Sequence, residues 1–156
     1  MNSFRLVGLS FEPFARYFEL SDAELSARNA RRVFATTKPG YPCRVSLADA
    51  DIGEELLLLP FEHQAASSPY RSSGPIFVRK AAAPARLEAG VLPDYVRTRL
   101  ISVRAYDTGH LMTDALVCDG TDAGAKIQAM FAREDVAYIH LHNAKRGCFS
   151  CAAVRA

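Results

Sequence analysis

Two histidines and two cysteines near the C-terminus have the types and spacing to do chemistry. His140 and His142 are two residues apart in a segment with strand-like alternation, so both side chains project from one face. A five-residue hairpin loop would place His142 opposite Cys148 and His140 opposite Ser150, and a four-residue loop would place His140 opposite Cys151 and His142 opposite Phe149. Because a neighbouring imidazole can activate a thiol, the pattern predicts a thiol-dependent site, with Cys148 as nucleophile and His142 or His140 as its base.

The same residues are four metal-ligand types within twelve positions, as His140-x-His142 and Cys148-x-x-Cys151. Zinc ribbons take such a cysteine pair from a tight turn, whereas an extended strand directs Cys148 and Cys151 to opposite faces. The sequence therefore predicts no metal site, and no motif in it indicates a cofactor.

A second polar group surrounds the loop 67–79. Its Ser-Ser-Gly at 72–74 can offer backbone N–H groups to an anion, with an arginine on either side. We expect residues distant in sequence to converge here on one cleft for a small anionic ligand. The predicted ligand-binding residues are Arg44, His63, Tyr70, Arg71 and Arg79. The alternative is an exposed loop whose arginines pair with Glu62 or nearby aspartates.

Composition limits the classes of function. A chain of 156 residues suits a single domain covering 1–156. A net charge of +2, with 19 basic residues spread among 17 acidic ones, does not indicate a nucleic-acid partner. The longest strongly apolar run, 56–61, is far too short for a membrane span, and no signal peptide is recognisable. Four cysteines without an export signal predict reduced thiols in the cytoplasm.

Hydrophobic periodicity predicts many strands with a few helices between them. Strands are expected at 4–11, 31–37, 54–61, 76–79, 100–106, 111–117, 137–142 and 148–154. Helices are expected at 12–18, at 22–29, in a turn from 94, and at 122–133. The predicted fold is α+β, with a mainly antiparallel sheet and two or three helices in a single compact domain.

Four local signals sharpen this prediction. Ser21 and Glu24 form a capping box, with Leu20 and Leu25 as a hydrophobic staple around the same helix start. Pro60 is expected to end the strand at 54–61. Residues 107–109 are expected to form a hairpin loop with Gly109 left-handed, and Thr121 is expected to cap the helix at 122–133.

Three segments carry a resemblance to a known family. GYPCRVSLADADIGEELLLLPFEHQ (40–64), SPYRSSGPIFVR (68–79) and HNAKRGCFS (142–150) together resemble a bacterial family of uncharacterised proteins, the domain of unknown function numbered twelve hundred and three. The resemblance covers nearly the whole chain and implies a single-domain cytoplasmic bacterial protein. It implies no activity, substrate or catalytic residue.

Three functions are compatible with these features. The first is a protein that binds a small molecule or anion, with or without catalysis, through the predicted ligand-binding residues. The second is a non-enzymatic interaction module that forms a homodimer through an exposed sheet edge. The third is a thiol-dependent enzyme that uses Cys148.

Overall fold

The computed structural model describes residues 3–156 as two five-stranded sheets and four short α-helices. The strands are β1 (Phe4–Val7), β2 (Arg31–Phe34), β3 (Pro42–Cys43), β4 (Ala48–Asp49), β5 (Glu55–Gln64), β6 (Ser72–Arg79), β7 (Leu100–Tyr106), β8 (Met112–Asp119), β9 (Tyr138–Asn143) and β10 (Phe149–Arg155). The helices are α1 (Glu12–Ala15), α2 (Asp22–Ala27), α3 (Asp94–Arg97) and α4 (Ala123–Phe131). Within 3–156, no helix is long and apolar enough to cross a membrane.

The two sheets are mainly antiparallel, which confirms the predicted α+β class. Sheet A has the strand order β1-β10-β9-β7-β8, and all its pairings are antiparallel. Sheet B has the order β2-β5-β6-β3-β4, and its one parallel pairing joins β3 to β6. The structure differs from the expectation in dividing the strands between two sheets and in forming four helices.

Each sheet has its own hydrophobic core. One face of sheet A packs against α3 and α4, where Ile127, Phe131 and Tyr95 are buried. Sheet B packs against α1 and α2 through residues such as Leu25 and Leu57. Side chains alternate along the strands, so the other face of sheet B carries a smaller cluster of Ala35, Ala50 and Leu56, and the other face of β9 carries polar residues.

The start of α2 follows the predicted capping box. Glu24 donates its backbone N–H to Ser21 Oγ over 3.1 Å, and Leu25 is fully buried with Leu20 packed against the same core. The helix ends at Ala27, two residues before the predicted end. Local capping chemistry therefore fixes the beginning of this helix more closely than its end.

Pro60 does not end β5, contrary to the prediction. The strand continues to Gln64, and Pro60 lies opposite Pro75 of β6. Because β2 pairs only with residues 55–58, β5 has a single neighbour beyond Leu58. A proline is tolerated where a strand has a free edge, since its missing N–H leaves no ladder bond unmade. The extension carries His63 beyond the core of sheet B.

Two predicted turn features are wrong. The hairpin between β7 and β8 takes its left-handed residue at His110, with φ 62°, because Asp107 Oδ1 accepts hydrogen bonds from the N–H groups of Gly109 and Leu111. Thr121 does not cap α4, because residues 120–122 form a 3-10 turn before the helix. Gly120, which donates its N–H to the Arg99 carbonyl, holds the chain there.

Candidate functional site

Three histidines meet between the two sheets. His140 and His142 project from β9 on the face opposite Ile139 and Leu141, which are buried in the core of sheet A. His63 reaches the same place from the end of β5 in sheet B. The predicted common face of His140 and His142 is therefore present, and the packing of the two sheets adds a third imidazole.

A β-bulge in β10 determines what faces these histidines. Phe149 lies opposite His142 and Cys151 lies opposite Leu141, so one extra residue, Ser150, separates the two pairs. Phe149 therefore shares the histidine face, whereas Cys151 is buried in the core of sheet A. In a regular strand these two residues would share a face.

The structure has the His142–Phe149 pair of the predicted four-residue loop, but the bulge shifts the rest of that register. His142 lies opposite Phe149 and His140 opposite Ala152, so neither histidine has a cysteine as its cross-strand partner. Cys148 precedes β10, and its thiol approaches only the carbonyl oxygen of Arg146, at 3.9 Å. The expected pairing of a histidine with a cysteine is absent from these cross-strand pairs.

The rings of the three histidines all pack against the ring of Phe149. The centroid of His63 is 4.9 Å from that of His142 and 6.4 Å from that of His140. Phe149 stacks on His63 at 5.5 Å and 6°, and meets His140 and His142 edge-on at 5.2 and 5.8 Å. One phenyl ring thus supports all three imidazoles. We call His63, His140 and His142 the histidine trio.

Each member of the trio has a buried ring nitrogen that bonds to no described protein atom. These atoms are His63 Nδ1, His140 Nδ1 and His142 Nε2. One ligand atom from each residue lies within 4.8 Å of the others. The Nδ1 of His142 lies 2.9 Å from the Gly147 carbonyl oxygen, which can only accept. His142 therefore carries its proton on Nδ1 and presents a lone pair on Nε2.

Burial keeps the trio neutral at neutral pH. It lowers the pKa of His142 to about 3 and that of His140 to about 4. It also lowers the pKa of the less buried His63. The positive charge of Arg104 lowers the pKa of all three further. Neutral imidazole is the form that binds metal ions, because only then is a ring lone pair free.

Arg104 brings an uncompensated positive charge to the edge of this site. It lies opposite His140 on the neighbouring strand β7 and donates Nε–H to Ser102 Oγ over 3.1 Å. Among residues 3–156, no carboxylate forms an ion pair with it. This positive charge would oppose a cation at the trio, so the three neutral imidazoles would have to offset that repulsion.

A tyrosine-centred network lies beside the trio. The hydroxyl of Tyr138 accepts a hydrogen bond from Gln64 Nε2 over 2.9 Å and lies 2.8 Å from His110 Nδ1. Tyr106 stacks on Tyr138 with centroids 5.2 Å apart, and its ring lies 5.1 Å from that of His140. His110 is thus outside the trio and has a partner of its own.

Two of the arginines that were predicted to bind an anion form ion pairs with carboxylates of the chain. Arg71 forms a bidentate pair with the exposed Glu62, at 3.0 and 3.2 Å. Arg79 pairs with Glu54 at 2.7 Å, on a different part of sheet B. The structure favours the alternative in which these arginines neutralise nearby acids.

The other predicted ligand-binding residues also lie apart from one another. Arg44 is buried, and its guanidinium donates to the carbonyls of Phe149 at 2.8 Å and Pro42 at 2.6 Å, which ties the two sheets together. Tyr70 is partly exposed and lies 6.1 Å from Tyr106, on the outer side of the tyrosine network. Of the five residues, only His63 belongs to the trio.

A cavity of about 430 Å³ opens elsewhere between the sheets. Its apolar wall includes Leu58, Pro75 and Phe77 of sheet B, and the turn between β9 and β10 forms its other side. Arg44 and Cys148 also line it, whereas the histidine trio does not. We call this space the intersheet cavity.

The four cysteines are free thiols in two environments. Cys43 and Cys151 are fully buried, and burial raises the pKa of Cys151 to about 12. Cys118 and Cys148 are partly exposed. We expect native protein treated with iodoacetamide at pH 8.5 to be modified at Cys118 and Cys148 only, as measured by peptide mass spectrometry. Modification of Cys151 before unfolding would contradict this assignment.

The fold and the trio define a two-sheet α+β protein with a buried three-histidine cluster. The chain belongs to the family described as Protein of unknown function (DUF1203), whose model matches residues 40–155. The matched segment contains the whole trio together with Arg104 and Phe149. No curated protein and no solved structure matches the chain.

The sequence identified one neighbour of the trio and missed another. The four-residue loop places Phe149 opposite His142, as in the structure, but no signal indicated the bulge that separates Phe149 from the face of Cys151. Arg104 did carry a signal, since it lies with Ser102 on the polar face of a strand whose other face is fully apolar. A charged residue in the middle of such a strand indicates that this face meets water or a polar surface.

Proposed function

We propose that this protein binds a divalent transition-metal ion through His63, His140 and His142. Two observations carry the proposal: one ring nitrogen of each histidine lies within 4.8 Å of the others, and each histidine has a buried ring nitrogen without a described protein partner. Leaving a buried polar atom unpaired costs about 1–3 kcal/mol. One ion would satisfy all three atoms at once.

The chemistry of the ligands indicates the class of ion. Three imidazoles suit zinc, nickel, copper or iron, whereas calcium and magnesium require oxygen ligands. The cluster contains no carboxylate or thiolate from the residues that the structure describes. Tetrahedral zinc with Zn–N bonds of 2.0–2.1 Å places its nitrogens about 3.3 Å apart. The trio would therefore need only a small closure.

Three protein ligands are typical of a catalytic rather than a structural zinc site. Structural sites are closed by four protein ligands, whereas catalytic sites leave a position for water or substrate. An ion held here would supply a Lewis acid and lower the pKa of a bound water to about 7. The Gly147 carbonyl orients His142, and Phe149 supports all three rings.

The test is a zinc titration of chelator-treated protein in competition with a chromophoric chelator. We expect one ion per chain, and a visible spectrum typical of four-coordinate cobalt when Co²⁺ replaces Zn²⁺. Because loss of an outer-shell partner alone weakens metal sites 10–100-fold, H63A, H140A and H142A should each weaken binding at least about 100-fold. H110A is the matched control, since His110 lies outside the trio.

Two results would contradict the proposal. One is stoichiometric binding that survives in H140A and H142A, which would place the ion elsewhere. The other is wild-type protein that fails to compete with a chelator of micromolar zinc affinity. Circular dichroism of each variant checks that the fold is intact.

A further inference from the structure

We infer that the intersheet cavity binds a small organic acid with an apolar body and a hydrogen-bond donor. This site is separate from the histidine trio, none of whose members lines the cavity. The inference therefore stands or falls independently of metal binding. It rests on the size, the charge and one unpaired polar atom of the cavity.

The cavity has the dimensions and the wall of a small-molecule site. Its volume of about 430 Å³ lies within the roughly 300–1,000 Å³ range of ligand pockets. Leu58, Pro75 and Phe77 cover one side, and Leu100 continues the apolar surface from sheet A. Such a wall favours an aliphatic or aromatic ligand body, because burying apolar area is the main source of affinity.

The rim of the cavity is positively charged. Lys145 and Arg146 lie in the turn between β9 and β10, and neither forms an ion pair within residues 3–156. Of the two other lining cations, Arg99 is neutralised by Asp49 at 2.5 Å, and the guanidinium of the buried Arg44 donates to the carbonyls of Phe149 and Pro42. No aspartate or glutamate lines the cavity. The charge is therefore complementary to a carboxylate or a similar anion.

Asn143 adds a requirement for a hydrogen-bond donor on the ligand. Asn143 lines the cavity, and its side-chain Oδ1 is buried and has no described hydrogen-bond partner. The turn holds it in place, since its own N–H donates to the Cys148 carbonyl at 2.9 Å and its carbonyl accepts from Gly147 N–H at 2.7 Å. A buried amide oxygen without a donor favours a ligand that carries an N–H or O–H.

The probe is 8-anilinonaphthalene-1-sulfonate, which has an apolar body, an N–H and one negative charge. Its uncharged counterpart, N-phenyl-1-naphthylamine, differs only in lacking the sulfonate. We expect the anionic probe to bind one site per chain, measured by fluorescence titration. The double variant K145Q/R146Q should weaken it about fivefold to tenfold, as removal of two rim charges implies. The neutral probe should be unaffected.

The matched control is R5Q/K126Q, which removes one arginine and one lysine that are exposed elsewhere. It should bind the anionic probe like the wild type. Equal losses in both double variants would show a general charge effect and overturn the inference. Failure of the anionic probe to bind the wild type, or equal losses for the neutral probe, would overturn it too.

Cys148 reports the location of the bound probe, because its side chain lines the cavity. Saturating anionic probe should slow iodoacetamide modification of Cys148 at least about fivefold in the wild type. Cys118, on β8, is the internal control and should react at an unchanged rate. Protection of neither cysteine, or of both to the same extent, would place the probe outside the intersheet cavity.

Discussion

Chelator-treated protein will melt about 10 °C higher when zinc is present at a thousandfold excess over its dissociation constant. An ion that binds only the folded state stabilises it by about 4 kcal/mol at that excess. For a domain of roughly this length, each kcal/mol shifts the melting temperature by about 2–4 °C. The gain arises because the three unpaired nitrogens of the trio acquire a partner only in the folded chain. Differential scanning calorimetry measures it.

The variants of the trio distinguish this effect from nonspecific zinc binding. H142A should lose the shift, because it removes the buried, unpaired Nε2 of His142. H110A should keep it. A shift of equal size in both variants would mean that zinc stabilises the chain from another site.

Replacing Phe149 by alanine will give the largest loss of stability among single changes at this site. Phe149 is buried and contacts all three imidazoles as well as Phe61, whose ring lies 6.4 Å away. Truncation of a buried phenylalanine typically costs about 3–5 kcal/mol. Zinc affinity should also fall about 10–100-fold, since the rings lose the group that holds them. Urea denaturation and zinc competition measure the two effects.

Two further substitutions make the Phe149 result decisive. F34A removes a phenylalanine that is 55% exposed, and should change stability by less than about 0.5 kcal/mol. F149L keeps most of the buried volume, so it should remain folded while still weakening zinc binding. If F149L binds zinc as tightly as the wild type, Phe149 contributes packing but does not position the trio.

The sequence was sufficient for elements whose pattern is local. The alternation of residues 100–106 predicted β7 with the bounds that the structure has, and the capping box predicted the start of α2. The common face of His140 and His142 followed from their spacing alone. Each of these features depends on neighbours a few residues away, which a single sequence contains.

The histidine trio could not be assembled from the sequence, because it depends on the packing of two sheets. The sequence groups His63 with the polar residues around the loop at 67–79, and Pro60 is expected to end the strand before it. In the structure β2 is short, so the proline lies at a free edge and β5 continues to His63. The length of β2, which no local sequence pattern indicates, therefore determines that His63 belongs to the trio.

The partners of the arginines were similarly undetermined. Arg71 and Arg79 were equally compatible with an anionic ligand and with a carboxylate of the chain, and Glu62 was one of the named alternatives. The structure places Glu62 beside Arg71 and Glu54 beside Arg79. Charge in a sequence therefore indicates the need for a counter-ion, but tertiary packing determines its source.

The segment before residue 40 has a structural role, although the family model does not match it. It lies outside the matched range, yet β1 covers the outer side of β10 and β2 covers the outer side of β5. Without these strands, the seven-residue β10 and the ten-residue β5 would be the edges of the two sheets, and long edges readily recruit strands of other molecules. Residues 3–39 replace these long edges by two edge strands of four residues each, which lowers the tendency of both sheets to polymerise.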